Sequence, residues 1–413
     1  MSRPQSRRAA VTGMGVIAPN GVGTETFWKA TREGIAVLDE VTREGCEDLP
    51  LKVAGEVRDF DPSATVEERF LVQTDRFTHF AMAAADLALQ DAHLGRTLTD
   101  DAPFSVGVVT AAGSGGGEFG QRELQQLWGK GSRFVGPYQS IAWFYAASTG
   151  QISIRRGFKG PCSVVASDEA GGLDALAHAA RAVRRGTDVI VAGSTEAPLA
   201  PYSVVCQLGY EELSTADDPT RAYRPFTSAA CGFVPAEGGA MLVVEDEDTA
   251  RERGARVQAV IAGHAATYTG ASCWKESRHG LVHAVRGALD EAGCAAEEID
   301  VVFADALGVP EADRAEALAI TDVLGDRVPV TAPKTGIGRG YGAAPVLDSV
   351  AAVLAMEHGV IPPTPNVFDI CHDLDLVTGR ARTAELRTAL VLSRGLMGSN
   401  SALVLRRGAT GAS

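Results

Sequence analysis

Residues 161–176 read Pro-Cys-Ser-Val-Val-Ala-Ser-Asp-Glu-Ala-Gly-Gly-Leu-Asp-Ala-Leu. The first part is short and partly β-branched, which suits a buried strand. The second part is rich in small residues, with Leu173, Leu176 and Ala180 recurring at helical spacing. A sharp strand-to-helix elbow leaves the first backbone N–H groups of the helix unpaired, and the helix dipole favours an anion there. It is therefore a place where an enzyme can activate a nucleophile. This chain puts Glu169 at that point, and a carboxylate is a poor acyl acceptor. Cys162 lies at or before the strand rather than at the helix start, so burial as a small apolar residue is its expected role.

Two glycine runs raise a different chemistry. Gly13-Met14-Gly15-Val16-Ile17-Ala18 follows an apolar strand and matches GxGxxA, a pattern that cradles a dinucleotide when a helix starts at the glycines. Here Pro19-Asn20-Gly21 interrupts first, and the helix begins only near Thr24. The second run, Gly113-Ser114-Gly115-Gly116-Gly117-Glu118-Phe119-Gly120, suits a chain passing close to other backbone or to a substrate channel better than it suits phosphate binding. Gly117, Gly120 and Leu124 then share one helical face, and two glycines on a face leave a void that a neighbouring backbone or a ligand chain must fill. Trp143, Phe144 and Tyr145 stand in a row and cannot all share one helix stripe. That segment is either buried on all sides or meets a partner subunit.

Bulk properties exclude several classes. The chain has 413 residues, 45% of them hydrophobic, enough for one large core or two medium ones. A formal net charge of −14 without a long basic run argues against a nucleic-acid partner. The 7 cysteines include no CxxC pair, so a zinc site or disulfide framework is not expected, and reduced thiols in a cytoplasmic protein fit best. Arg3, Arg7 and Arg8 precede an apolar stretch, but Gly13 and Gly15 break it, and it reads better as a first strand than as a signal peptide. No stretch approaches a membrane span. Arg181, Arg184 and Arg185 close a helix whose dipole accounts for them.

The elements that must position these groups alternate. Strands are expected at 9–12, 104–110, 163–166, 189–193, 240–245, 257–265, 299–304, 328–331, 388–393 and 401–406. Helices are expected at 25–33, 77–94, 122–128, 170–185, 246–253, 281–292, 313–324 and 345–357, with an irregular cap over 40–75. Strands and helices alternating in two similar halves, 1–253 and 254–413, predict an α/β fold with a partly parallel sheet in each half.

At Glu169 and its flanks the chain resembles a β-ketoacyl synthase of the thiolase-like superfamily. It is most similar to the chain length factor, the non-catalytic ketosynthase β subunit of bacterial type II aromatic polyketide synthases. The resemblance spans essentially the whole chain. It is carried by Thr12-Gly13-Met14-Gly15-Val16, Glu118-Phe119-Gly120-Gln121-Arg122-Glu123, Ala142-Trp143-Phe144-Tyr145 and Thr149-Gly150-Gln151-Ile152-Ser153-Ile154-Arg155. Ala170-Gly171-Gly172-Leu173-Asp174-Ala175-Leu176, Val301-Val302-Phe303-Ala304-Asp305 and Val328-Pro329-Val330-Thr331-Ala332-Pro333-Lys334-Thr335 carry it further.

The resemblance implies two duplicated halves in an αβαβα layering. In catalytic relatives a cysteine at the elbow takes the growing acyl chain, and two histidines help decarboxylate a malonyl unit carried by an acyl carrier protein. The cysteine position falls on Glu169, and the histidine positions fall on Leu307 and Arg339. Leu307 cannot donate a hydrogen bond, and Arg339 stays protonated and cannot act as a general base. Chain length factors usually carry glutamine where Glu169 stands. A carboxylate there would repel a malonyl anion unless it were protonated or paired with a cation such as Arg339.

The family's chain-length gate maps onto Gly117, Gly120 and Leu124 together with Tyr202 and Ser203, and its glycines imply a comparatively long product. The implied partners are a catalytic ketosynthase subunit, met through Trp143, Phe144 and Tyr145, and an acyl carrier protein whose phosphopantetheine arm delivers the acyl units. No cofactor or metal is implied. Two other functions stay open on the residues. One is a malonyl-carrier decarboxylase using Glu169 and Arg339, and the other is a nicotinamide-dependent oxidoreductase resting on the glycine runs alone.

Overall fold

The computed structural model describes residues 7–94, 102–270 and 274–408. Eleven strands form the backbone of one sheet: β1 (Ala9–Ala18), β2 (Val106–Ala111), β3 (Cys162–Val165), β4 (Val189–Glu196), β5 (Gly238–Asp246), β6 (Ala259–Tyr268), β7 (Val301–Phe303), β8 (Pro329–Thr331), β9 (Asp375–Leu376), β10 (Thr388–Arg394) and β11 (Ser399–Arg407). Their order is β9-β8-β7-β10-β11-β6-β1-β5-β4-β2-β3, and Gly21–Val22 folds back on β1.

The sheet repeats itself about its middle. Starting from β1, the neighbours are β5 and β4, both antiparallel, then β2 and β3, both parallel. Starting from β6, they are β11 and β10, antiparallel, then β7 and β8, parallel. Among the described residues, the two sets of strands join through Ala9–Val11 against Ala259–Ile261.

The helices supply the layers: α1 (Thr24–Glu33), α2 (Arg76–Asp91), α3 (Gly117–Lys130), α4 (Ala147–Arg156), α5 (Gly171–Arg184), α6 (Pro201–Gln207), α7 (Trp274–Ala292), α8 (Pro310–Leu324) and α9 (Ala343–His358). Helices α5 and α9 pack on each other and on strands of both sets, so they form the middle layer. Helix α9 is buried from Ala343 to Met356 on every face, as a helix enclosed between two sheets must be. Helices α2 and α4 cover one outer face, and α7 and α8 the other.

The duplication reaches single residues. A side-chain carbon at Gly13 would lie 2.2 Å from the Ala88 carbonyl oxygen of α2, and one at Gly263 would lie 2.2 Å from that of Ala288 in α7. Each half thus uses a strand glycine to seat its outer helix. The first glycine run is consumed by this packing. Gly15 touches the Ala84 carbonyl in the same way, and the next helix starts only at Thr24.

The expected elements are present with ends shifted by a few residues, and three local readings change. Residues 103–105 form a short 3-10 turn, so the strand begins at Val106 and Phe104 is exposed. Strand β3 is the sheet's edge, paired only with β2, and its residues are half-exposed or exposed rather than buried. Cys162 is therefore an exposed thiol and not a core residue. Among the described residues no helix is long and apolar enough to cross a membrane.

Candidate functional site

The elbow leaves β3, turns at Ser167-Asp168-Glu169 and enters α5. Asp168 has φ +55, a left-handed conformation uncommon for a residue with a side chain. Ser167 Oγ donates to Asp174 Oδ2 at 2.5 Å, and Asp174 is further held by His264 Nε2 at 3.0 Å and Ser401 Oγ at 2.9 Å. These contacts tie the first turn of α5 to β6 and β11, so the elbow is fixed from the opposite half.

Glu169 is buried, and its carboxylate does not cap α5 as the dipole argument suggested. Its Oε2 instead accepts a hydrogen bond from Leu396 N at 3.0 Å. Burial first, and then the neighbouring Asp168, raise its pKa well above the ordinary carboxylate value, while Arg339 pulls the other way.

Arg339 is close enough to feel that charge but is paired elsewhere. Its Nη2 donates to Asp305 Oδ1 at 2.8 Å and to the Arg394 carbonyl. The sequence-based expectation of a Glu169–Arg339 ion pair is corrected on this point, because Asp305 from the end of β7 has taken the guanidinium. Arg394 in turn bonds Glu316 Oε2 at 3.0 Å and gives its own N–H to Asp305 Oδ1 at 3.1 Å. Lys334 pairs with Asp348 at 2.5 Å. Three buried cations thus meet three buried carboxylates, and Glu169 is left outside the balance. Arg339, Arg394 and Lys334 hold the Asp305 pKa below its ordinary value against the opposing effect of burial.

Leu307 is buried in an apolar cluster with Tyr223, Phe233 and Leu396. Residue 396 is also the one whose N–H meets Glu169, so the three mapped positions converge around the turn at 395–399. Together they offer a carboxyl, a fixed guanidinium and an alkyl side chain. None is a thiol, and none is a histidine. Among the described residues no group of three His, Cys, Asp or Glu is arranged to hold a metal ion.

The second glycine run starts α3. Glu196, buried at the end of β4, accepts from Gly113 N at 2.5 Å, Ser114 N at 3.0 Å and Ser114 Oγ at 2.5 Å. Burial raises its pKa to about 7, against the lowering effect of these donors. Gly116 lies against the Ala142 carbonyl, and a side-chain carbon at Gly117 would meet Ser203 Oγ at 2.1 Å. The void expected at Gly117 is therefore filled by α6. At Gly120 the nearest atom is Trp143 Cβ at 3.9 Å, so that position stays open. Tyr202 N donates to Gln121 Oε1 at 2.7 Å, which joins α3 to α6.

Leu124 and Tyr202 are exposed, and Trp143, Phe144 and Tyr145 are 49%, 50% and 40% exposed. Of the two expectations for this row, burial on all sides is excluded. Glu196, Arg394 and Glu316 escaped the sequence analysis, and Asp305 entered it only as the end of a motif, with no role at the site. A charged residue at the end of an apolar strand was the available signal for Glu196, Asp305 and Arg394.

Comparisons with known proteins bear on this geometry. The model of the beta-ketoacyl synthase N-terminal domain matches residues 6–250, and that of the C-terminal domain matches residues 258–368. A polyketide beta-ketoacyl synthase 2 of Streptomyces coelicolor is 74% identical over 419 residues, covering 99% of both chains. The tetracenomycin polyketide synthase ketoacyl synthase beta subunit of Streptomyces glaucescens is 50% identical over 402 residues, covering 96% of this chain and 98% of that one. The solved ishigamide ketosynthase/chain length factor superposes with a TM-score of 0.88 at 29% identity, covering 98% of this chain and 100% of that one. The duplicated sheet, the elbow between β3 and α5 and these end-to-end similarities agree, and the chain belongs to the β-ketoacyl synthase family.

Proposed function

We propose that this chain is the non-condensing subunit of a type II polyketide synthase, a chain length factor that pairs with a catalytic ketosynthase and shapes the tunnel in which the polyketide grows. The observation that carries the reading is the elbow, where a buried carboxyl with a raised pKa stands at the nucleophile position beside Arg339 and Leu307. Acyl transfer needs a nucleophile that becomes covalently loaded and a base that activates it. Glu169 and its neighbours supply neither.

The surface supports a partner. Strand β3 offers an unpaired edge with Cys162 and Val164 exposed, and half-exposed aromatic residues stand at 143–145. An open sheet edge and an aromatic patch both favour association. Gly120, Leu124, Tyr202 and Ser203 lie beside this surface and form the proposed gate, with Gly117 serving to seat α6. Acyl units would arrive on the phosphopantetheine arm of an acyl carrier protein, with no cofactor or metal of the chain's own. We read 1–253 and 254–413 as its two halves and the cytoplasm as its location.

The test is co-expression with a catalytic ketosynthase subunit and an acyl carrier protein. The expected result is a copurifying heterodimer that makes a polyketide only when both subunits are present. The isolated chain should release no carbon dioxide from malonyl-acyl carrier protein. Release by the isolated chain at a rate matching the complex would replace this reading with the decarboxylase.

A further inference from the structure

Helix α3 carries the proposed gate, yet little apolar packing holds it. Of its 14 residues only Phe119 and Glu123 are buried, Trp128 is 82% exposed, and Gly120 stays open. Its position is set instead by hydrogen bonds that lead back to the end of β4 and to α2. Glu196 holds the loop that enters α3 through Gly113 and Ser114. The adjacent Thr195 donates its hydroxyl to the Phe77 carbonyl of α2 at 2.8 Å. The residue just before α2, Asp75, then reaches α3 itself. Asp75 Oδ1 accepts from Phe77 N at 3.2 Å, as an N-cap does. Its Oδ2 accepts from Phe119 N in the first turn of α3 at 2.7 Å. Further along, Glu123 Oε2 accepts from Gly136 N at 2.5 Å and ties down the chain beyond the helix.

We propose that Asp75 is a specificity-determining positioning residue: by bridging the N-termini of α2 and α3 it fixes the rotation and axial position of the gate helix, and with them the length of the polyketide. The proposal rests on the chain-length-factor reading and on the gate assigned to Gly120, Leu124, Tyr202 and Ser203. One carboxyl oxygen is enough to cap α2, and a serine hydroxyl would serve there as well. The second oxygen is committed to α3, 44 residues away in the chain. This contact lies one residue before Gly120. Each residue of a helix turns by about 100°, so a slip of a single position would carry Gly120 off the gate face. The nearest atom to a side chain at Gly120 is Trp143 Cβ at 3.9 Å, so nothing on that side resists such a slip. Asp75 is buried, and the arginine next to it is engaged elsewhere: Arg76 donates to both carboxyl oxygens of Glu237 and to the Val57 carbonyl. Glu118 and Arg122 of α3 are the other charges that it feels. Two backbone N–H groups at two positive helix ends therefore hold the carboxyl. Its removal releases α3 without breaking an ion pair.

The test compares the parent with Asp75→Ser and Asp75→Thr, each copurified with a catalytic ketosynthase subunit and supplied with an acyl carrier protein. Both hydroxyls can cap α2, and both are too short to reach Phe119. Threonine is closer to aspartate in volume and carries the test should the serine variant fail to fold. Amide hydrogen exchange of Phe119 should be at least tenfold faster in the variants, with that of Phe77 within twofold of the parent. The ratio of off-length to main polyketide, read by mass spectrometry, should rise at least tenfold. Unchanged Phe119 exchange in both variants would overturn the proposal. So would faster exchange with a lower yield at the parent's length ratio, which would leave Asp75 a helix cap alone. Gly120→Phe in the same series separates this proposal from the gate beneath it. If it shortens the product while the Asp75 variants keep the parent's ratio, the gate stands and the role of Asp75 falls. If none of the three alters the product, the gate assignment falls as well. If the parent does not pair with a ketosynthase, the proposed function fails and the length claim with it, while exchange on the chain alone still shows whether Asp75 holds α3.

Discussion

At residue scale the two glycines of the gate face are not equivalent. A side-chain carbon at Gly120 has 3.9 Å to its nearest neighbour, whereas one at Gly117 meets Ser203 Oγ at 2.1 Å. Gly120→Phe should therefore project a ring into free space and shorten the polyketide by at least one extender unit, read by mass spectrometry of the product of the intact complex. Gly117→Phe must first turn the Ser203 hydroxyl away, with Ser203 Cβ at 3.5 Å, and wedging a ring between α3 and α6 adds overpacking of about 1–3 kcal/mol. Its expected signature is a lower melting temperature together with any change in product. An unchanged product from Gly120→Phe in an intact heterodimer would remove Gly120 from the gate. That the glycines share a face was legible from their spacing. Which of them faces a void was not, because that depends on how α6, far along the chain, is brought against α3.

At the scale of elements, the expected helices and strands followed from periodicity, and the sharper disagreement is strand β3. Its apolar, β-branched character reads as a buried strand, yet it is the sheet's edge, with a burial pattern alternating between exposed and half-buried. A single chain cannot distinguish a strand buried by its own fold from one to be buried by another subunit, since both need the same residues. The aromatic row obeys the same logic. Phe144 is 50% exposed, so burying its remaining half at an interface contributes about 0.8–1.5 kcal/mol, and a carboxylate in its place adds a desolvation cost. Phe144→Asp should therefore lower heterodimer affinity by at least tenfold, measured by copurification and titration with the ketosynthase. The melting temperature of the isolated chain should barely move, because exposed substitutions usually change stability by within about 0.5 kcal/mol. Full retention of pairing would place the interface elsewhere.

At the scale of the whole molecule, the buried charges lie where the duplicated halves and their covering loops meet, and they set a pH dependence. Burial is the leading cause in each of the six described carboxyls whose pKa is raised: Asp75, Glu196 and Asp313 to about 7, Asp348 to about 6, and Glu169 and Glu316 above their ordinary value. A carboxyl raised on folding contributes stability that is fully present below its ordinary value, declines as pH rises and is gone once pH passes the folded value. Asp305 and Asp174 are lowered, so their contribution is lost only in acid and does not change between pH 6 and pH 8. His79, pushed down to about 4 mainly by burial, works the other way. Folding keeps it neutral, so its contribution grows as pH rises through the ordinary histidine value. His178 and His372 are lowered by burial in the same sense, so six raised carboxyls stand against three lowered histidines among the described residues. The carboxyls decide the sign, and the melting temperature should be several degrees higher at pH 6 than at pH 8. Glu196→Gln, which removes one of the titrating groups and keeps an acceptor for Gly113 and Ser114, should narrow that difference. A stability profile that rises from pH 6 to pH 8 would mean that these carboxyls are ionised in the folded chain.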